Sequence, residues 1–320
     1  MDALSNVLKS IHLEGAVYLN GDFTAPWCIR GECNVPSVRD RLRDAEHVFF
    51  FHLVTVGACR AKLDDWPETV EAHAGDVILI PGPDRHLLGS DLRLTPIDGE
   101  RLTAESAADG DHTRVRYDGG GAPTKFVCGF LACSHSVCRP LLEALPRLLC
   151  IDVGDTALST MIRDLMQAGV RESSLERAGA QSMLAKLSEL MFVEAIRRYV
   201  EALPPGGQGW LAGVRDTHVG RALALLHREP LRAWTVDDLA HEVALSRSAL
   251  AERFTAMVGE PPIQYLTRWR LALAAQALRS GRETITRIAE SAGYESEAAF
   301  SRAFKREFGK PPAAWRRARS

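Results

Sequence analysis

No apolar run in the 320 residues approaches the roughly 20 needed to span a bilayer, so no transmembrane helix is expected. The opening, MDALSNVLKSIHLEG, lacks the basic stretch and long apolar run of a secretory leader, and a cytoplasmic location is the default expectation. Cysteine is scarce and odd in number, 7 in all, so a full set of structural disulfides is not expected. No CxxC pair of the common zinc-site form occurs, and no dense cluster of His and carboxylates suggests catalytic metal. One-signed charge is also missing, since the net charge is -2. That near-balance hides an asymmetry. From Gly213 to Ser320 there are 18 Lys and Arg against 12 Asp and Glu, and elsewhere 21 against 29. A basic end on an acidic body suggests a polyanionic partner.

What is present is an ordinary globular composition, 46% hydrophobic and 25% charged, in a chain long enough for about two domains. Up to about Phe130, short β-like runs alternate with Gly, Asp and Pro turns: VFFFHLVTV over Val48–Val56, VILI over Val77–Ile80, KFVCGFL over Lys125–Leu131. Many short strands suggest a sandwich or small barrel. The polar, glycine-rich Thr103–Gly121 reads as a loop or poorly ordered insert. After Pro140 the periodicity becomes helical, with a short helix over Pro140–Leu149 and another over Asp155–Ala168 carrying Leu158, Met161, Ile162 and Leu165. A longer helix follows over Leu175–Tyr199, striped by Met183, Leu184, Leu187, Leu190, Met191 and Ile196. The stripe predicts a buried face, against either its own β domain or a second subunit. LPPGGQG, Leu203–Gly209, reads as a linker.

Past the linker the chain repeats itself. Leu239-Ala240 matches Ile288-Ala289 at an offset of 49; Ser246, Leu250, Phe254, Gly259, Pro261 and Pro262 match Ser296, Phe300, Phe304, Gly309, Pro311 and Pro312 at 50. The odd residue falls in a turn. Each copy is laid out as a helix-turn-helix. Thr235 and Thr284 cap the first helices, Ala244-Leu245 and Gly293-Tyr294 make the turns, and Ser246 and Ser296 cap the second helices. Leu250/Phe254 and Phe300/Phe304 are predicted to point inward, leaving an outer face able to enter a DNA major groove. A helical run over Ile263–Arg279 would hold the copies at a fixed spacing suited to successive grooves. Gly259 and Gly309 are expected to close helices, and the paired prolines to open the next.

Over Val214 to Arg317, and above all in GYESEAAFSRAFKREFGKPPAAWR, the chain resembles the DNA-binding domain of AraC/XylS-type transcriptional regulators. MDALSNVLKSIHLEG, FHLVTVGACRAKL, AGDVILIPGPDRHLL and FVCGF resemble the cupin-like sensor domain often joined to it. The implied architecture is α+β and multidomain. A cupin-like β-barrel over residues 1–140 carries a helical extension over 141–203 that is a candidate dimerisation region. A linker over 204–212 leads to an all-α DNA-binding domain over 213–320, with helix-turn-helix motifs at about 235–256 and 284–307.

By the family layout, base-facing positions fall at Ala298, Ser301 and Arg302 in the second motif and at Ser248, Ala251 and Glu252 in the first. Arg302 is the best reader, because arginine can pair bidentately with guanine; Ala251 offers apolar contact only, and Glu252 would have to accept from cytosine. Arg247, Arg268, Arg270, Lys305 and Arg306 are the expected backbone contacts. Phe300, Phe304, Phe308, Trp269 and Trp315 are expected in the core.

AGDVILIPGPDRH resembles the second cupin box, with Gly75, Pro81 and His86 in place. His52 lacks the paired His of metal cupins, and Pro83 stands where those have Gly. No metal, cofactor or catalytic residue is therefore expected, and His86 reads as a buried, hydrogen-bonded histidine. Candidate sensor residues are His52, Cys59, His86, Cys128, Cys133 and Cys138, with Cys28 and Cys33 a further nearby pair. For the cysteines, structural, redox and metal or electrophile roles stay open; a reactive thiol needs exposure and a lowered pKa. The expected function is a DNA-binding transcription regulator, an activator by family resemblance. Its expected partners are double-stranded DNA, an unidentified small-molecule or redox effector, RNA polymerase by resemblance, and a second copy of the chain, with no membrane. The rival is a cupin-type metal-dependent enzyme with a nucleic-acid-binding appendage.

Overall fold

A computed structural model describes residues 2–10, 14–31, 47–108, 114–133, 135–153, 156–175, 177–204 and 207–317. The chain divides into two compact units. A sheet unit comprises Leu13–Cys133 and Leu145–Glu201; a helical unit comprises Met1–His12, Ser134–Ala144 and Ala202–Ser320. Among the described residues no helix is long and apolar enough to cross a membrane.

In the sheet unit the strands are β1 (Glu14–Thr24), β2 (Cys28–Gly31), β3 (His47–Val56), β4 (Ala58–Leu63), β5 (Thr69–His73), β6 (Asp76–Ile80), β7 (His86–Gly89), β8 (Ile97–Asp98), β9 (Arg114–Asp118), β10 (Pro123–Cys133) and β11 (Leu149–Asp152). They form a six-stranded sheet ordered β11-β6-β3-β10-β1-β9 and a five-stranded sheet ordered β5-β4-β7-β2-β8. The expected barrel is corrected here. Among the described residues neither sheet closes on itself, because short strands, β9, β11 and the two-residue β8, remain outermost. Side chains alternate across each strand, so one face of each sheet can fill a shared core. Phe23, Val54, Ile78 and Phe126 from the larger sheet meet Ile29, Ala61, Ala72 and Leu88 from the smaller.

Strand β3 is a continuous apolar run because both its faces are covered. Phe50 joins Leu63 and Ile80 on the inner side. On the outer side, the ring of Phe49 lies 4.8 Å from that of Phe192, in the helix over Ala180–Ala202. The helices of this unit are α2 (Gly99–Ala108), α4 (Ala157–Ser174) and α5 (Ala180–Ala202).

One local expectation fails in this unit, and a second is met only in part. The polar stretch 103–121 holds the end of α2 and strand β9, which pairs parallel with β1 from Asn20↔Arg114 to Thr24↔Asp118. Its anchor is an ion pair, Arg114 to Asp22 at 2.6 Å, which composition does not reveal. The stripe on α5 also splits. Leu184, Met191 and Ile196 are buried, whereas Met183 and Leu190 are 42% and 40% exposed. Leu158, Met161 and Leu165 on α4 are similarly open, while Ile162 is buried.

The helical unit takes α1 (Ala3–Ser10), α3 (His135–Ala144), α6 (Trp210–Arg215), α7 (Thr217–Arg228), α8 (Val236–Glu242), α9 (Arg247–Val258), α10 (Pro262–Ser280), α11 (Ile285–Ser291), α12 (Glu297–Phe308) and α13 (Pro312–Arg317). Instead of a helix over 140–149, α3 starts five residues earlier, and β11 takes Leu149 onward. Pro140 inside α3 forfeits a backbone hydrogen bond, but Val137, Cys138 and Leu141 are wholly buried and offset it. Helix α3 packs on α10, and α1 packs on α7.

The four predicted caps are present. Thr235, Ser246, Thr284 and Ser296 accept from the amides of Asp238, Ala249, Arg287 and Ala299, each contribution being about 1 kcal/mol. Gly259, Gly281 and Gly309 close α9, α10 and α12 in the left-handed region. The two turns differ in an instructive way. Gly293 has φ 81°, and its counterpart Ala244 adopts φ 56° with a side chain, a strained choice that the surrounding core must hold.

Under the first motif lies a polar contact in an apolar shell. Trp210 Nε1 donates to the Tyr265 hydroxyl at 3.0 Å, and that hydroxyl shares a hydrogen bond with His227 Nε2 at 2.7 Å. The His227 ring also lies tilted against Trp269, with ring centroids 4.3 Å apart. Burial lowers the His227 pKa to about 4, so the ring is neutral in the folded chain. Unfolded, it titrates near 6.5, so the unfolded chain binds the extra proton between those values. Stability should therefore be full above pH 7 and fall as pH drops toward 4, by at most about 3 kcal/mol from this group. Denaturant titrations followed by tryptophan fluorescence should show a steeper pH dependence in the parent chain than in His227→Gln.

Candidate nucleic-acid interface

The second motif presents a divided helix. On α12, Phe300 and Phe304 have no exposed surface, and Phe304 packs against Phe308 and Trp315 at 4.6 and 5.7 Å. Tyr294 from the turn meets Phe300 edge-on at 5.6 Å. With that face fixed inward, the helical period turns Ala298, Arg302, Lys305 and Arg306 outward, with Ser301 half-buried beside them. Among the described residues, the side chains of Arg302 and Lys305 have no hydrogen-bond or ion-pair partner, so neither needs to break one to meet DNA. Thr286 on α11 donates to Glu297 at 2.7 Å and ties the two helices at the entry of α12.

The first motif is less basic. Arg247, Ser248 and Glu252 are exposed on α9 and Ala251 is half-buried, so the expected base-facing set does share one surface. Arg247 pairs with Asp237 at 3.2 Å, an exposed contact that a phosphate can replace at little cost. Arg253, which the sequence reading passed over, is held by Asp216 through both Nε and Nη2. Asp216 also caps α7 through the amides of His218 and Val219. Burial opposes ionisation there, but Arg253 and these amides hold the Asp216 carboxyl below its ordinary pKa.

Two expected backbone contacts have other duties. The Arg270 guanidinium donates to the carbonyls of Pro230 and Arg232, and a Cβ on Gly293 would come 3.2 Å from its Nη1. It therefore braces the segment before α8 against the turn of the second motif. Arg268 pairs with the buried Glu260 at 2.9 Å. Helical spacing could place these arginines on α10 but could not reveal which carbonyls and carboxylates folding would bring to them.

The sensor candidates divide similarly. His52 on β3 and His86 on β7 meet across the two sheets, Nε2 to Nε2 at 2.9 Å. Gly31 makes room, since a Cβ there would lie 2.5 Å from His86 Nε2. His86 Nδ1 faces the Asp84 carbonyl at 3.3 Å. A carbonyl only accepts, so Nδ1 carries the proton and Nε2 is the acceptor. His52 Nε2 must then donate, leaving its Nδ1 to accept from the adjoining Cys128 thiol. The chain Cys128–His52–His86–Asp84 thus has one consistent set of neutral tautomers. Burial lowers the pKa of both histidines and pushes the Cys128 thiol up.

Burial likewise pushes Cys59 and Cys150 up to about 12. Cys133 and Cys138 are buried, and Cys33 lies outside the described residues. The described candidate thiols therefore lack exposure, and Cys59 and Cys128 also lack the low pKa, that oxidant chemistry requires. Among the described residues no group of three or more His, Cys, Asp or Glu is arranged to hold a metal.

Two capped helix-turn-helix motifs on one shared helix, joined to a two-sheet unit, define the class: a DNA-binding transcription regulator with a cupin-type unit. Comparison with known proteins agrees. Residues 2–201 match the Cupin family and residues 239–318 the helix-turn-helix domain. An AraC-like transcription regulator of Streptomyces lividans is 35% identical over 322 residues, 99% of this chain and 98% of its own. One from Streptomyces antibioticus is 36% identical over 274 residues, covering 86% and 88%. The HTH-type transcriptional regulator AlkR of Acinetobacter baylyi is 31% identical over 323 residues, 99% of each chain. The chain belongs to the AraC family of transcription regulators.

Arg302→Ala should relax base preference at one position of a bound duplex, by about 1–3 kcal/mol against the wrong base. An equal loss on all duplexes would make Arg302 a backbone contact. Alkylation of the folded chain with iodoacetamide, read by peptide mapping, should leave Cys59 and Cys128 unmodified for as long as a denatured control takes to label fully.

Proposed function

We propose that this chain is a sequence-specific activator that reads two adjacent DNA segments with α9 and α12 under the control of a signal received by the sheet unit. The observation that supports this best is the outward, unpaired Arg302 on a helix whose opposite face is locked by aromatic packing. Sequence discrimination is assigned mainly to Ala298, Ser301 and Arg302. Ser248, Ala251 and Glu252 contribute more weakly, because Arg253, the exposed cation at the centre of α9, is already held by Asp216. Arg247, Lys305 and Arg306 take the phosphates. Buried thiols with raised pKa favour a small molecule over oxidation as the signal, and a signal of either kind would act on His52, His86 and Cys128. The family resemblance supports contact with RNA polymerase and a cytoplasmic location.

A second copy of the chain is the proposed cover for the exposed Leu158, Met161 and Leu165 of α4 and Met183 and Leu190 of α5. These recur at helical spacing on neighbouring helices, where Gly169 lies close against Leu184. Genome-wide mapping of bound DNA, repeated with Met161→Glu, tests both parts. The parent chain should occupy a small set of promoters with a common paired motif. Met161→Glu should sediment as a monomer and lose occupancy. Binding without a common motif would refute sequence-specific control, and unchanged sedimentation would refute the dimer.

A further inference from the structure

Helix α3 lies in sequence between two strands of the six-stranded sheet: β10 ends at Cys133 and β11 begins at Leu149. Yet α3 belongs to the helical unit, where Val137, Cys138 and Leu141 are wholly buried and the helix packs on α10. Its polar side carries Arg139. Arg139 Nη1 donates to Glu307 Oε1 at 2.8 Å, and its Nε donates to Glu143 at 2.7 Å. Glu307 sits in the last turn of α12, the second recognition helix, but away from the outward Arg302 and Lys305.

One cleft is lined by Arg139, Tyr265, Arg268 and Glu307, and Arg268 links it to the end of the first motif. There Glu260 is 6% exposed, between Gly259, which closes α9, and the prolines that open α10. Arg268 is its ion-pair partner, and Arg139, Glu143 and Glu307 all act on its charge. The internal repeat supplies a control. At the equivalent place in the second copy, Gly309-Lys310-Pro311-Pro312, the residue is Lys310, exposed and of opposite sign. Only in the first copy is this junction buried and acidic, and there α3 brings a cation to it.

We propose that α3 is a detachable splint across the two helix-turn-helix motifs, its Arg139 holding Glu307 so that the second recognition helix keeps a fixed placement relative to the first. Because α3 begins two residues after β10 ends in the chain, a rearrangement of that strand can withdraw it. Cys128, part of the His52–His86 chain, lies on the same strand. This last step rests on the proposed control through the sheet unit; the splint itself does not.

The test uses the full chain and a duplex selected from random-sequence DNA by that chain. A second duplex carries five extra base pairs, about half a helical turn, between the two protected segments. Affinities are measured for Arg139→Met, Glu307→Gln, the double variant and Arg139→Lys. Each neutral single should bind the selected duplex about five-fold more weakly, as loss of a half-buried ion pair would give, and should lose part of the preference for it over the spaced duplex. The double should be no weaker than either single, because both remove one interaction. Arg139→Lys should stay within about two-fold of the parent. Additive losses in the double, or singles that keep the parent's spacing preference, would overturn the splint. If the parent shows no spacing preference, the paired-segment reading of DNA fails instead, and hydrogen exchange decides the splint: unchanged protection of α12 amides in Arg139→Met overturns it, and faster exchange supports it.

Discussion

The helical unit depends on one constraint, that α10 belongs to both motifs at once. Its 19 residues extend about 28 Å without a break. The N-terminal half gives Tyr265 and Trp269 to the core beneath the first motif, and the C-terminal half gives Leu271, Ala274, Ala275 and Leu278 to the core beneath the second. A helix buried in two cores cannot bend without opening one of them. Separation and phase of the two recognition helices are thus properties of packing and not of a linker, so two weak readers can act as one.

Charge is distributed to the same end. Arginines that serve architecture are paired with protein groups: Arg253 with Asp216, Arg268 with Glu260, Arg270 with two carbonyls. Arg302 and Lys305 are left on the outer face. A cation engaged by a partly buried acceptor is costly to redirect, whereas one held only by water can release counterions on meeting a phosphate. The sheet unit follows the opposite rule. Its central polar groups, Cys128, His52 and His86, are satisfied by one another in neutral form, which allows them to sit between two apolar sheets.

Legibility in the sequence followed the range of the interactions. The caps at Thr235, Ser246, Thr284 and Ser296, the closing glycines and the inward Phe300/Phe304 pair were readable, because each rests on contacts within a turn or two of chain. Strand β9 was not. It is held by pairing with β1 and by Arg114 reaching Asp22, some ninety residues away. The start of α3 was missed because proline ordinarily marks a helix boundary, and only the burial of Val137, Cys138 and Leu141 carries the helix through it. The strand pattern left sandwich and barrel open, because alternation within strands is the same in both, and the barrel came only with the family resemblance; closure depends on which edges meet.

The amino-acid sequence by itself determined that this is a double helix-turn-helix protein of the AraC family, since the repeat, its caps and its aromatic spacing are local and survive without coordinates. It also determined which side of α12 could face outward, because a helix has a fixed period. Only the tertiary structure decided which arginines remain available for DNA, which histidines interlock, and that α3 joins the helical unit. Those outcomes turn on partners distant in sequence, brought within hydrogen-bond reach by folding alone.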